Sequence, residues 1–357
     1  MKKIFAFLSI SAFIACSPTA DKSIADEFVT ISGETQGTTF TVTYRDTVDY
    51  SLALDSIFKR VDGDLSLWVE GSLINRMNDH NRTDTVFAFI DSTRYFSILF
   101  DVSYELFKKT NGAFDPTVRP LVEYWGFGLK NMENATPAGV DSILPFVGMI
   151  PANFDMIEVY VNTYTYEETQ IRKGDPRVKV DFNAIAQGFT VDLVSDYLHR
   201  KGIDDYMVEI GGELICKGVN TDSIPWRIAV DKPIESNEHI AQGVLKVFNM
   251  ALATSGNYRK FYEKDGKKLA HTIDPRTGYP VDHSLLSVTV MATNAMMADA
   301  YATAFMVMGL DETIAFLDEN PLLNMHAMLI YDDNGTTKVW MSEALKTVYE
   351  DVSHEPS

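Results

Sequence analysis

The stretch from Ala251 to Gly309 holds the side chains best suited to chemistry. Thr254-Ser255-Gly256, followed by Arg259, sets hydroxyls and a guanidinium beside a flexible backbone position. His271-Thr272-Ile273-Asp274-Pro275-Arg276-Thr277-Gly278 gathers a base, an acid and an arginine around a turn. Asp299 is an isolated carboxylate in a run of apolar and small residues, and Thr303 follows it by one helical turn, so the two oxygens share a face. Hydroxyls, a base, an arginine and a lone acid suit a phosphate-bearing ligand and a hard cation such as Mg²⁺, which takes oxygen donors and few protein ligands. A buried carboxylate is costly unless it is compensated. The compensation for Asp299 is either a metal or one of Arg259, Arg276 and a backbone cap. His271 suits general-base work and equally suits a structural histidine at a strand–loop junction.

Other features exclude alternatives. The formal net charge of -19 argues against non-specific nucleic-acid binding, which needs a basic face. An acidic chain that binds a polyanion must concentrate positive charge locally or recruit a cation. The chain has no G-x-x-x-x-G-K-[ST], no G-x-G-x-x-G and no His/Cys cluster at zinc spacing. Cys216 sits among apolar residues and reads as a small buried hydrophobe.

The elements that must position these groups follow from periodicity. Strands are expected at 28–32, 39–44, 178–182, 207–210, 226–230, 244–247, 250–253, 286–291 and 325–331, with another near Val339-Trp340. Helices are expected at 52–61, broken by Asp62-Gly63-Asp64, at 91–109, from Thr136-Pro137, from about 185 to 200, and at 294–308, with another after Asp311. Residues 162–177 read as loop or exposed hairpin. Strands and helices mix without a βαβ rhythm, which predicts an α+β fold with largely antiparallel strands, neither Rossmann nor P-loop. Trp68 beside a loop either stacks on a flat ring or is a half-buried aromatic.

At the N-terminus, Met1-Lys2-Lys3, an apolar run from Ile4 to Ile14 and Ala15-Cys16 make a segment too short to span a bilayer stably. It fits an export signal, and the Ala-Cys junction resembles a bacterial lipoprotein cleavage site with Cys16 as the lipidated residue. Phe13 stands where such sites usually have Leu. The expected division is a signal peptide at 1–15, a polar tether at 16–27, one domain at 28–345 and a tail at 346–357. The expected location is the periplasmic side of a membrane, through a lipid anchor.

Ordered blocks then give a specific resemblance: GETQGTTF (33–40), GAFDPTV (112–118), WGFG (125–128), VDFNAIAQGFTVD (180–192), EIGGEL (209–214), WRIAVDKP (226–233), ATSGNYRKF (253–261), HTIDPRTGYP (271–280) and ADAYATAFMVMG (298–309). The chain resembles the ApbE family of flavin transferases over about residues 28–345. The resemblance implies an enzyme that binds FAD with Mg²⁺, splits its pyrophosphate, transfers FMN through its phosphate to a Thr or Ser hydroxyl of a target flavoprotein, and releases AMP. It implies that Asp299, Thr303 and the backbone oxygen of Ala184 hold the metal. It places FAD against Gln36, Trp68, Ala113, Phe114, Asp115, Asp181, Gln187 and Ile273, with Thr254, Ser255, Gly256 and His271 near the phosphates. Asp299 or His271 takes the acceptor proton. Gln36 replaces a usual Met, Gln187 a usual Lys or Glu, and Trp68 a usual Tyr. Two other outcomes fit the same residues: hydrolysis of FAD to FMN and AMP, and a lipoprotein that binds flavin without turning it over.

Overall fold

The computed structural model describes residues 27–127, 135–159, 168–233, 240–257, 261–264 and 267–352. Its centre is an antiparallel sheet whose neighbours follow one another along the chain. The strands are β1 (Phe28–Thr35), β2 (Thr38–Arg45), β3 (Tyr206–Ile210), β4 (Glu213–Lys217), β5 (Met250–Gly256), β6 (Leu285–Ala292), β7 (His326–Asp333) and β8 (Thr336–Met341). Long excursions separate β2 from β3, β4 from β5, β5 from β6 and β6 from β7, yet each strand returns beside its predecessor. This is the expected α+β arrangement.

Side-chain alternation assigns the sheet's two faces. Ile215 of β4 and Val288, Val290 and Ala292 of β6 point into the larger core, against the helices. Leu214, Cys216 and Met291 point the other way, into a second core. A three-stranded sheet (Trp226–Asp231, Ala241–Val247, Tyr349–Asp351) supplies Trp226, Val230, Leu245 and Val247 to that second core. The central strands are therefore covered on both faces, which is why they read as nearly continuous apolar runs. Cys216 is buried there, and desolvation pushes its thiol far above its ordinary range, so it is inert. Tyr349–Asp351 pairs with Gly243–Leu245, so part of the segment expected to be tail belongs to the fold.

Five helices carry the larger core: α1 (Ser51–Leu65), α2 (Leu73–Asp79), α3 (Tyr95–Lys109), α4 (Ala186–Arg200) and α5 (Ala295–Glu319). α5 lies across β5 and β6 and against α4. It is long and apolar enough to cross a membrane but is mostly buried in the protein, as a core helix. Gly309 breaks its helical geometry with φ 78° and ψ -171°. His283 Nε2 donates to the Met306 carbonyl at 2.8 Å, and its Nδ1 accepts from Leu285 N at 3.3 Å, which caps the first half. This matches the expected helix to 308 with a restart after Asp311.

Four expectations need correction. α1 continues through Asp62-Gly63-Asp64, because Val61 and Leu65 still reach the core on the same face. α3 begins at Tyr95 rather than Asp91; Asp91 still serves its first turn, accepting from Ser97 N at 2.8 Å. Residues 178–182 form no strand pair among the described residues. The Asn78 amide on α2 replaces one, accepting from Val180 N at 2.7 Å and donating to Val180 O at 2.8 Å. Within 162–177, expected to be loop or exposed hairpin, residues from 168 pair as a strand, Glu168–Lys173, with Phe87–Ile90 and Phe154–Val159.

Asn78 is buried, so N78A leaves both Val180 backbone groups without partners inside the protein. The expected cost is about 2–4 kcal/mol of unfolding free energy, measured by urea denaturation with an unchanged slope. A loss below about 0.5 kcal/mol would show that the segment does not depend on this substitute strand partner.

Candidate functional site

The register of the central sheet brings several turns to one end. Phe40 opposes Ile210, so the β1–β2 turn at Gln36-Gly37 lies beside the β3–β4 turn at Gly211-Gly212. Leu252 opposes Leu214, so the last residues of β5, Thr254-Ser255-Gly256, continue along the same edge. The start of α4 arrives there too: a Cβ at Gly211 would fall 2.9 Å from Gln187 Nε2 and 2.8 Å from Thr38. Gly211 has φ +65°, so a side chain there would be strained as well as crowded.

Asp299 faces this end from α5. It is 6% exposed, and its Oδ2 accepts the Gly188 N–H at 3.1 Å. That N–H lies in the first turn of α4, where helical donors have no partner within the helix. The contact requires glycine, because a Cβ at 188 would sit 2.3 Å from the Ala295 carbonyl oxygen and 2.8 Å from Asp299 Cβ. Ala184 lies in the turn just before α4, and Thr303 lies one turn beyond Asp299, partly exposed. Burial pushes the Asp299 carboxyl up to about 7; the Asp192 charge adds to the rise and the Gly188 N–H opposes it. Asp192, on α4, accepts from Ala295 N at 2.8 Å and Met296 N at 2.9 Å, capping α5, and desolvation raises it to about 6.

Two further groups reach the same end. Gln36 adopts φ 51° in its turn; its Nε2 donates to Thr190 Oγ1 at 2.7 Å, and that hydroxyl donates on to Ala186 O at 2.7 Å. Gln36 Oε1 is buried without a hydrogen-bond partner among the described residues. Glu213, the first residue of β4, is 8% exposed, and its Oε2 likewise has no partner among them. Burial first, and the Asp299 charge second, raise the Glu213 carboxyl well above its ordinary range. Glu213 was missed as a site residue because Gly-Gly alone is weak evidence. The usable signal was an acid opening a strand whose following residues are buried on both faces.

The remaining expected residues are held by contacts of their own turns and strands. Thr254 Oγ1 lies 2.9 Å from Thr289 Oγ1 across the β5–β6 ladder. Thr272 Oγ1 donates to Asn257 Oδ1 at 2.7 Å, which ties His271 and its turn to the end of β5. Asp274 is engaged by Arg276, whose Nη1 also donates to Glu312 on α5 at 2.7 Å. Asp274 and Arg276 thus fasten the turn. Ile273 is buried with Leu121, Trp125 and Val140, and Trp125 Nε1 donates to Gly278 O at 2.8 Å. Asp181 accepts from Asn183 N at 2.8 Å and lies 3.5 Å from Arg119, whose Nε meets Glu123 at 3.0 Å. The backbone of Asp181 donates to Pro116 O at 2.7 Å, which joins it to the Ala113-Phe114-Asp115 turn.

Ala113 and Phe114 are buried, and Asp115 uses Oδ1 to accept from Thr117 N and Thr117 Oγ1. Desolvation raises Asp115 to about 7. Trp68 is 60% exposed on its loop, and no described hydrogen bond or ring contact of its side chain joins it to the group above. Arg259 and Cys16 lie outside the described residues.

Among the described residues, no three His, Cys, Asp or Glu side chains gather as a ligand cluster. The arrangement is instead one of scattered oxygens: carboxylates on a helix and a strand, a hydroxyl and turn carbonyls. Fold and site together define an α+β meander protein with buried carboxylates, Asp299 on a helix and Glu213 on a strand, at the turn end of its sheet.

The chain belongs to the ApbE family, whose model matches residues 36–329. It is 35% identical to the FAD:protein FMN transferase of Haemophilus influenzae, over 86% of this chain and 88% of that one. It is 30% identical to the FAD:protein FMN transferase of Escherichia coli K12, over 94% and 93%. Its structure superposes on the flavin transferase ApbE from Vibrio cholerae with a TM-score of 0.76 at 33% identity, covering 90% of this chain and 99% of that one. The flavinyl transferase ApbE of Pseudomonas stutzeri, in its apo form, gives a TM-score of 0.75 at 28% identity, covering 90% and 96%.

The raised carboxyls set a pH dependence. Asp115, Asp192 and Asp299 bind protons more tightly when folded than in the unfolded chain, where 3.8 is the ordinary value. The stability this supplies is complete below about pH 4 and is lost as pH rises through about 6–7. His326, depressed by burial, works in the opposite sense. Cation-free protein is expected to melt at lower temperature at about pH 8 than at about pH 5, and D299N is expected to flatten that fall. Identical pH slopes in D299N and the parent, by differential scanning calorimetry, would show Asp299 ionised throughout.

Proposed function

We propose that this protein is an FAD:protein FMN transferase that requires Mg²⁺, modifies a Thr or Ser hydroxyl of a target protein and releases AMP. The observation that carries the reading is Asp299: a buried carboxylate, held by the Gly188 N–H, at the sheet end where the family's motif residues meet. The flavin chemistry is that of its relatives, which are FAD:protein FMN transferases.

The site suits a hard cation. Its donors are oxygens, Asp299 accepts the Gly188 N–H, and burial that raises its carboxyl makes its negative charge costly without a further partner. Asp299, Thr303 and the Ala184 carbonyl would hold Mg²⁺. Bound there, the ion would neutralise pyrophosphate charge and improve AMP as a leaving group.

In the reaction, the acceptor hydroxyl oxygen bonds to the phosphorus on the FMN side of the pyrophosphate. The bond from that phosphorus to the bridging oxygen breaks, and AMP departs with the bridging oxygen. His271 or Asp299 takes the hydroxyl proton. Such transfers depend mainly on positioning and on stabilising charge. The turns at 36–37 and 211–212, fixed by strand register, supply positioning. The exposed indole of Trp68 offers a face for the flat isoalloxazine ring.

The N-terminal sequence supports a lipoprotein anchor at Cys16 on the periplasmic side of a membrane, and so a target exposed in the same compartment.

The test mixes the protein with FAD, Mg²⁺ and a candidate flavoprotein, then follows AMP by chromatography and target mass by mass spectrometry. The expected result is equimolar AMP and a target heavier by one FMN unit. AMP without a target adduct would replace transfer by hydrolysis, and unchanged bound FAD would leave a carrier. D299A is expected to lower kcat/KM by at least about 10²-fold, the scale of several kcal/mol of lost charge stabilisation. Full activity in D299A would remove the metal assignment.

A further inference from the structure

We propose that Glu213 is a second carboxylate of the cation site, holding the divalent ion together with Asp299, either directly or through an ion-bound water. The inference rests on the Mg²⁺ reading above and adds a residue to it. Glu213 opens β4 immediately after Gly211-Gly212, on the turn end of the sheet that α5 crosses. Its side chain is 8% exposed, and Oε2 has no hydrogen-bond partner among the described residues.

A buried carboxylate oxygen with no donor is among the least favourable arrangements a fold can hold. The acids that act on it, Asp299 of α5 and Glu209 of β3, are like charges that offer no donor. Neighbouring donors are spent elsewhere: the Gly212 N–H goes to Glu209 Oε1 at 2.8 Å, and the Gly188 N–H goes to Asp299. Packing alone would be served better by Gln, which keeps the shape and removes the repulsion. One divalent ion answers both carboxylates at once, because it supplies the missing partner and cancels their repulsion.

The test uses Mn²⁺, which takes the same oxygen donors and is read by electron paramagnetic resonance without FAD or turnover. Full-length parent, D299N and E213Q are titrated, and melting midpoints are recorded with and without the ion. The parent is expected to bind, and D299N to lose binding. E213Q is expected to bind about 10–100-fold more weakly, the range for losing a supporting ligand. Its cation-free midpoint is expected to stay level or rise, while the increment produced by Mn²⁺ shrinks.

If D299N binds like the parent, or the parent does not bind, the cation reading itself fails. Binding lost in D299N but unchanged in E213Q overturns only the role of Glu213. A lower cation-free midpoint in E213Q with an unaltered Mn²⁺ increment overturns it also, in favour of a structural role. Should E213Q not fold, E213D carries the same test: it keeps the charge and withdraws the oxygens by one methylene, so weakened Mn²⁺ binding supports the proposal and unchanged binding overturns it.

Discussion

The site depends on how closely α4 and α5 approach at Gly188. The glycine allows the Ala295 carbonyl to lie where any side chain would collide, and this proximity presents the Gly188 N–H to Asp299. Four residues along, Asp192 meets the start of α5 with both carboxylate oxygens. The two helices are thus joined by reciprocal use of their first turns: a carboxylate of each answers free backbone donors of the other. Widening the gap by one methyl group would disturb the packing, the helix cap and the Asp299 contact together. Placement of Asp299 is therefore a consequence of helix packing, and it cannot drift without cost to the core.

The fold tolerates a group of acids that it could have avoided. Asp115, Asp192, Asp299 and Glu213 are all raised by burial. They are compensated unequally. Asp115 and Asp192 each accept local donors and act as caps. Asp299 accepts one backbone N–H, and Glu213 Oε2 accepts nothing from the described residues. A purely structural carboxylate shows the first pattern, since a complete set of donors is what makes its burial affordable. The second pattern is the one that the proposed cation would complete.

Much of this was legible in the sequence, and the failures share a cause. Asp299 and Thr303 could be placed on one helical face because a helix fixes its own periodicity, and Gly309 marked the break correctly for the same local reason. The α+β class followed from strand patterns without a βαβ rhythm. What could not be read was any pairing made across the chain. Residues 178–182 have a strand's composition but are held by the Asn78 side chain, about a hundred positions away. Asp62-Gly63-Asp64 looked like a stop, yet Leu65 keeps the helix going by reaching the core. Glu213 gained meaning only when the sheet register and α5 set it near Asp299. Arg276 looked like a phosphate ligand until the fold supplied Asp274 and Glu312.

That last reassignment bears on how the site meets a polyanion. Arg276 is divided between Asp274 and Glu312, Arg119 lies between Glu123 and Asp181, and Lys179 also meets Glu123. Each of these basic groups already answers carboxylates of the protein itself. A pyrophosphate entering such a site would gain little from them unless it displaced those partners, of which Asp181 and Asp274 are the most shielded from solvent. Backbone N–H groups at turns, and the proposed ion carried in by oxygen ligands, are other means of accepting its charge. On the proposed reading, a chain with a formal net charge of -19 would build its anion site by concentrating negative charge first, so that the cation it attracted became the feature the substrate recognised.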